Sequence, residues 1–414
     1  MTTSFPVRWA LVAWLFVISA IGYLDRVNIS IAGQSIEKEF HLNNVELGWI
    51  FSAFVLGYAL FQAPGGSIAD RMGPRLVLTM GVIWWGIFTS LITVFTPGAP
   101  WLIFLLVATR FLLGLGEAVI YPSSNCIIAS WVPSAERGIA NGIIFSGVGC
   151  GAALTPPLIT YLLIHYGWRS SFWASAVLGL VAGALWFLIA RDKPEGHPWV
   201  SSPELAHIRS GLPRQQHTAR MPWNAILTNF NIWLVTISYF CYGYAAYIFF
   251  SWFFIYLSSV RGLNLRESSY YSMLPFAAMA IGSPVGGWIS DRLTRSRGKR
   301  IGRCGVAAVG IALSALFIAS STQVDSARLA TVVLAAGAGA LYLSQSSFWS
   351  VSADIGGASA GSVSGFMNMG GQIGGALTAS LTPAIASHWG WTASFLVAAV
   401  LCAFGSLLWM LVIL

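Results

Sequence analysis

The chain has 414 residues, of which 56% are hydrophobic and 9% charged, with a formal net charge of +8. Soluble domains carry about 25% charged residues, so a soluble fold is excluded and a polytopic membrane protein is expected. The 19 Trp and 43 Gly agree, since Trp collects at membrane interfaces and Gly lets helices approach closely.

Taken in chain order, hydropathy predicts twelve spans near 8–33, 45–69, 76–96, 100–130, 138–165, 170–190, 225–258, 268–290, 301–321, 327–351, 360–387 and 391–413. The first apolar run, from Trp9 to Gly33, is long enough to cross a bilayer and too long for a cleavable signal peptide. It contains Ile21-Gly22-Tyr23-Leu24-Asp25-Arg26-Val27-Asn28. Two formal charges therefore lie near mid-membrane depth, where each costs roughly 2.5–3.5 kcal/mol unless it is paired or faces a wet cavity. They mark an ion or substrate site, or they form a pair that only ties helices together. The first reading is favoured because intramembrane ionisable groups usually lie on pathways. The five cysteines (Cys126, Cys150, Cys241, Cys304, Cys402) are scattered through apolar runs with no metal-ligand spacing. They read as small packing residues. His165 and His388 fall near helix ends, where interfacial hydrogen bonding is favoured over metal binding. No metal site and no cofactor are expected.

The polar segment 191–223 contains Asp192, Lys193, Pro194, Glu195, Pro203 and Pro213 and divides the spans six and six. It reads as a linker between an N-terminal bundle at 1–190 and a C-terminal bundle at 224–414. A short surface helix from Ser202 to Leu212, capped by Ser201 or Ser202, is expected within it. Of the 22 Lys and Arg residues, 15 fall in one set of connections and 5 in the other, while Arg26 and Arg110 lie inside spans. The positive-inside rule then places both termini and the linker in the cytoplasm. The basic balance is thus a topology signal and not a sign of nucleic acid. The run from Arg295 to Arg303 suits membrane-lipid headgroups.

The halves repeat. A shift of 223 residues carries Gly138, Gly142, Gly147 and Gly151 onto Gly361, Gly365, Gly370 and Gly374. The same shift carries His165-x-Gly167-Trp168-x-x-Ser171-Phe172 onto His388-x-Gly390-Trp391-x-x-Ser394-Phe395. A shift of 221 brings Gly66-x-x-x-Asp70-Arg71 onto Gly287-x-x-x-Asp291-Arg292. Two parallel six-span halves with a site between them at the midplane is the plan of many secondary transporters.

The motif Gly66-x-x-x-Asp70-Arg71-x-Gly73-Pro74-Arg75 and its second copy at Gly287 resemble the major facilitator superfamily. The resemblance implies an all-α membrane protein, with twelve transmembrane helices in two pseudo-symmetric six-helix bundles. Asp70, Arg71, Arg75, Asp291 and Arg292 then become gating residues, with Asp70 accepting from a helix N-terminus or an arginine to latch cytoplasmic helix ends. A narrower set, Tyr23-x-Asp25-Arg26-x-Asn28-x-Ser30 with Tyr58 and Arg110-Phe-Leu-Leu-Gly114-Leu-Gly116-Glu117, resembles the anion:cation symporter family. That family includes galactonate, glucarate and hexuronate transporters and the sialic acid and vesicular glutamate carriers. The resemblance implies movement of an organic anion, often with protons.

At about 100° per residue, Arg110, Gly114 and Glu117 share one helix face. Burial favours the protonated form of Glu117 and a nearby arginine its charged form, so it is a proton carrier, with Asp25 the second. The expected division of labour has Arg26 holding a substrate carboxylate, as a planar guanidinium does well. Tyr23 and Tyr58 supply hydroxyls, and Arg110 is the switchable partner of Asp25 and Glu117. These roles are partly implied by the family. The C-terminal half puts no Lys, Arg, Asp or Glu at a span centre. It offers Ser346, Trp349 and Asn368 to the substrate, among other neutral groups. One departure stands out: Val148 follows Ser146-Gly147 where galactonate-type carriers show glutamine. That points to a less hydroxylated acid, aromatic or short-chain, beside the sugar-acid reading.

The expected function is therefore proton-coupled symport of an organic monoanion by a monomer in the cell inner membrane. The alternatives are an exchanger or uniporter without proton coupling, and a non-transporting sensor. No nucleophile–base set, metal cluster or phosphate loop points to an enzyme.

Overall fold

The computed structural model describes residues 6–42, 44–212, 220–253 and 256–414, with helices and no strand among them. The N-terminal half contains α1 (Val7–Phe40), α2 (Asn44–Met72), α3 (Pro74–Leu91), α4 (Leu102–Glu117), α5 (Ile120–Trp131), α6 (Arg137–Tyr166) and α7 (Trp168–Ile189). The linker carries α8 (Ser202–Gly211), and α9 (Trp223–Thr228) follows it. The C-terminal half contains α10 (Phe230–Ser251), α11 (Leu265–Arg297), α12 (Val306–Ser321), α13 (Ala327–Leu343), α14 (Gln345–Gly356) and α15 (Ala360–Leu411).

Ten stretches of the described residues are long and apolar enough to cross a membrane. The last of them, Ala327–Leu411, is 85 residues long, and at about 1.5 Å per residue no single crossing can hold it. It turns at Gly357 (φ 51°) and at Gly390 (φ 83°), left-handed positions where glycine avoids a Cβ clash. These turns divide it into three crossings, so the chain makes twelve. Two crossings are interrupted at mid-depth. α4 gives way to α5 through Ala118 and Val119, and α13 to α14 through Ser344. Both joints keep right-handed angles, so each is a soft step. One step follows Glu117 and the other precedes Gln345. α1 runs seven residues past the expected span end at 33 because Ile36 and Phe40 are buried against Trp168 and its neighbours.

The described residues begin beside the linker and end beside the start of α10. Val7 and Arg8 donate their backbone N–H groups to Glu204 of α8 at 3.1 and 3.0 Å. Ile413 donates its N–H to Asn231, near the start of α10, at 3.0 Å. α8 starts at Ser201, whose hydroxyl accepts from the Glu204 N–H at 3.3 Å. That is the N-cap expected of a serine there.

The halves meet along two long crossings, α2 against α15 and α6 against α11. Glycines let the backbones touch. A Cβ at Gly66 would lie 2.0 Å from the Gly361 carbonyl oxygen, and one at Gly287 would lie 2.2 Å from that of Gly138. The two crossings are related by the sequence repeat.

Candidate functional site

α1, α2 and α4 bring the N-terminal charges together. Arg26 donates from Nη2 to Glu117 Oε2 at 2.9 Å, and its guanidinium lies 4.3, 4.7 and 5.0 Å from the ring centres of Tyr58, Tyr23 and Phe54. Ring faces attract a guanidinium, and more strongly when water is excluded. Glu117 is 1% exposed, with its Oε1 unpartnered among the described residues. The expected pairing of Glu117 with Arg110 is therefore corrected: in this conformation its partner is Arg26. Arg110 is buried, stacks 4.8 Å from Phe54 and makes no ion pair among the described residues. It stays within electrostatic reach of both Asp25 and Glu117.

Asp25 also differs from its expected setting. Its Oδ2 accepts from Trp85 Nε1 and Thr89 Oγ1 of α3, both at 3.0 Å, while Oδ1 has no partner among the described residues. On the α1 face about 100° away from Arg26, Asp25 is reached by the long Trp85 side chain and the Thr89 hydroxyl of α3.

Beyond this charge set, between the halves, lies a cavity of about 40 Å³. It has room for about three waters at 10–15 Å³ each. Seven tyrosines line it: Tyr23, Tyr58 and Tyr121 from the N-terminal half, and Tyr239, Tyr242, Tyr247 and Tyr342 from the C-terminal half. Of the expected substrate residues, Tyr23, Tyr58 and Asn368 are in the wall. Arg26, Ser346 and Trp349 stand outside the lining. Trp349 packs 4.9 Å from Phe145 and 5.7 Å from Tyr121, and donates to the Tyr239 hydroxyl at 3.3 Å. It backs the wall because two aromatic rings lie in front of it. The buried Ser346 hydroxyl has no partner among the described residues. Val148 does line the cavity. Tyr121, Tyr342 and Gln62 were not anticipated. Gln62 accepts at Oε1 from Asn368 Nδ2 at 2.8 Å. Its position was available from spacing, since Tyr58, Gln62, Gly66 and Asp70 repeat every four residues on one face of α2.

At the linker end, Asp70 accepts from the N–H of Gly361 at 2.9 Å, the N–H of Ser362 at 2.7 Å and the Ser362 hydroxyl at 2.6 Å. It sits at the N-terminus of α15, where unpaired N–H groups and the helix dipole favour a carboxylate. Asp291 does the same for α6, accepting from Gly138 at 2.8 Å and Ile139 at 2.7 Å, with Arg303 at 2.6 Å. Three expected gating cations take other positions. Arg71 and Arg292 are exposed. Arg75 donates to the Phe187 carbonyl at 2.9 and 2.7 Å, and its N–H to Asp192 at 2.8 Å, so it holds α3 to the end of α7 within one half. Cations that bridge the halves are Arg137, 2.6 Å from Asp354, and Arg303, whose Nη2 donates to the Ser134 carbonyl, while Lys299 joins the Asp354 carboxylate from within the C-terminal half. Arg137 and Arg303 are wholly buried. A loop arginine gives no sign in sequence of which way it folds, so motif position alone did not show which cations would lie between the halves.

Twelve crossings around a midplane cavity backed by buried charge define a multi-pass membrane transporter. The chain matches the family model described as Major Facilitator Superfamily over residues 15–379 and belongs to that family. It is 36% identical over 353 residues to the probable sulfoacetate transporter SauU of Cupriavidus necator, covering 84% of this chain and 80% of that one. It is 33% identical over 413 residues to the chloroplastic ascorbate transporter of Arabidopsis thaliana, covering 98% and 75%. It is 33% identical over 342 residues to the probable galactarate/D-glucarate transporter GudP of Bacillus subtilis, covering 79% and 74%. Among solved structures, the proton:xylose symporter XylE aligns over 98% of this chain and 96% of its own, with a TM-score of 0.77 at 14% identity, a likeness of fold. The chain is a transporter, not an enzyme.

Proposed function

We propose that the protein imports an organic monoanion together with protons, by rocking of the bundles 1–190 and 224–414 about the cavity. Both termini and the linker are on the cytoplasmic side of a cell inner membrane, and the working unit is a monomer surrounded by lipid. The substrate is a sugar acid such as a hexonate or hexuronate, or a related carboxylate. The observation that carries this reading is the Arg26–Glu117 pair set directly behind the cavity wall. Arg26 has one carboxylate partner. A substrate carboxylate that takes that place displaces Glu117, and a buried carboxylate without its cation gains a proton. Anion and proton then load together. The relatives named for sulfoacetate and galactarate/D-glucarate support an acidic cargo. The present cavity is too small for a six-carbon acid, so loading requires the halves to part, and the linker-end latches describe a form closed on that side.

The test is thermal-shift screening of the purified protein at pH 5.5 and 7.5 against sugar acids, aromatic acids and short carboxylates, followed by uptake in proteoliposomes. Stabilisation by a monocarboxylate, stronger at the lower pH and lost in Arg26→Ala, is expected. Binding of neutral or cationic compounds alone rejects the anion reading. Uptake that ignores a pH gradient replaces symport with exchange or facilitated diffusion.

A further inference from the structure

The crossing of α2 and α15 is a seam that runs from the linker end to the cavity. Asp70 holds Gly361 and Ser362 at its outer limit. One turn in, Gly66 lies against the Gly361 carbonyl, and the next turn brings Gly365 against the backbone of Gln62. The side-chain pair Gln62–Asn368 follows, at 2.8 Å, with the two residues 0% and 2% exposed. The chain of contacts continues into the cavity wall. Gln372 Nε2 donates to Asn368 Oδ1 at 3.4 Å, and the Tyr247 hydroxyl donates to Gln372 Oε1 at 2.6 Å. Asn368, Gln372 and Tyr247 line the cavity. Asn368 thus belongs to both the wall and the seam. The Gln62 Nε2 has no partner among the described residues, so there the pair depends on the single bond from Asn368.

Among the described residues, the other seam, α6 against α11, has no such pair of side chains at the matching depth; there the Ser146 hydroxyl donates to the Ala280 backbone carbonyl at 2.8 Å. By the internal repeat, Gln62 corresponds to Ser283 and Asn368 to Phe145. The Phe145 side chain lines the cavity but has no hydrogen-bonding group, and the Ser283 hydroxyl has no partner among the described residues. Gly142 and Gly149 hold that seam through backbone contact with Ser283, Pro284, Phe276 and Ala280.

We propose that Gln62 and Asn368 form a latch released by cargo: a polar group on the bound anion takes the Asn368 amide from Gln62 and loosens the α2–α15 seam, while the α6–α11 seam serves as the hinge. The ligand-linked part rests on the cavity being the transport site. A ligand shifts a conformational equilibrium only through contacts that differ between the two states, and the Asn368 amide is such a contact.

Cys126 is a native reporter of the seam. It is buried, donates to Asp70 at 3.2 Å and lies where a Cβ on Gly361 would fall. In a background with the other four cysteines replaced by serine, its labelling by a maleimide reads opening of the linker end. Without any anion, Gln62→Leu is expected to label about fivefold faster than the parent, as loss of one net hydrogen bond allows. Gln62→Glu keeps an acceptor oxygen for Asn368 and should label at the parent rate, as should Ser283→Ala on the other seam. Parental labelling of Gln62→Leu, or equal acceleration by Ser283→Ala, overturns the latch. Should Gln62→Leu not fold, Asn368→Leu carries the same labelling prediction. With gluconate and sulfoacetate as probes, an anion that binds should accelerate labelling of the parent and add nothing in Gln62→Leu. Binding without acceleration overturns the cargo-release step. Absence of binding by any acid in the screen rejects the anion reading instead, and the ligand-free rates still judge the latch.

Discussion

Arg26 combines stacking on two tyrosines and a phenylalanine with a short bond to one carboxylate. A lysine ammonium keeps the charge but has no planar fork. Arg26→Lys is expected to lower the initial uptake rate by about tenfold to hundredfold, as loss of ring stacking and a charge-assisted bond implies. Rates at matched protein level in proteoliposomes check this. Glu117→Gln keeps a hydrogen-bonding oxygen near Arg26 but cannot release a proton at any relevant pH. Counterflow exchange should persist while accumulation driven by a pH gradient disappears; wild-type accumulation rejects the coupling role. The charged residues were legible in the sequence because formal charge inside an apolar run is conspicuous. Their pairing was not, because a helical wheel places Arg110 and Glu117 on one face of α4 without saying how α1 is rotated against it. The tyrosines were hard to see for the opposite reason. Tyr121 and Tyr342 carry no charge, and an isolated tyrosine in a span is ordinary.

Among the helices, the two latching aspartates test the pseudo-symmetry directly. Asp70 and Asp291 each accept two backbone N–H groups at a helix start in the opposite half. Removing such a cap costs about 0.5–2 kcal/mol. Asp70→Asn and Asp291→Asn are expected to destabilise the form closed at the linker end by that order. Faster proteolysis or thiol labelling at that end reads the change. Gly66→Ala should do the same by another route. Its new methyl would meet the Gly361 carbonyl, and overpacking of this kind costs about 1–3 kcal/mol. The spans and the Ser201 cap were readable from hydropathy and N-cap chemistry. The step between α4 and α5 was not, since Ala118 and Val119 continue the apolar pattern and no proline or glycine marks the joint.

Across the whole molecule, polar ties occur at the cavity and at both ends. Away from the linker, Arg169 and Trp168 donate to Glu39 at 2.9 and 2.6 Å, and hydrogen bonding by Arg169 holds the Glu39 carboxyl below its ordinary range. A depressed folded-state value stabilises the fold above the ordinary carboxylate range, and the contribution fades as pH falls through the folded-state value. The melting temperature of Glu39→Gln should therefore lie below wild type at pH 7. The gap should close on acidification below about pH 4.

The confinement of the charges behind the cavity to one half has an electrical consequence. Asp25, Arg26, Arg110 and Glu117 sum to zero when all are ionised, and they still sum to zero when one proton has joined Glu117 and one monoanion has joined Arg26. The neutral C-terminal wall adds nothing to that sum. A bundle carrying no net charge through the bilayer does no work against the membrane potential, which otherwise acts at about 2.3 kcal/mol per charge per 100 mV. One-to-one loading is thus electrically silent. A potassium diffusion potential imposed on proteoliposomes should leave uptake unchanged, and acceleration by an inside-negative voltage would count a second proton, with Asp25 as its carrier.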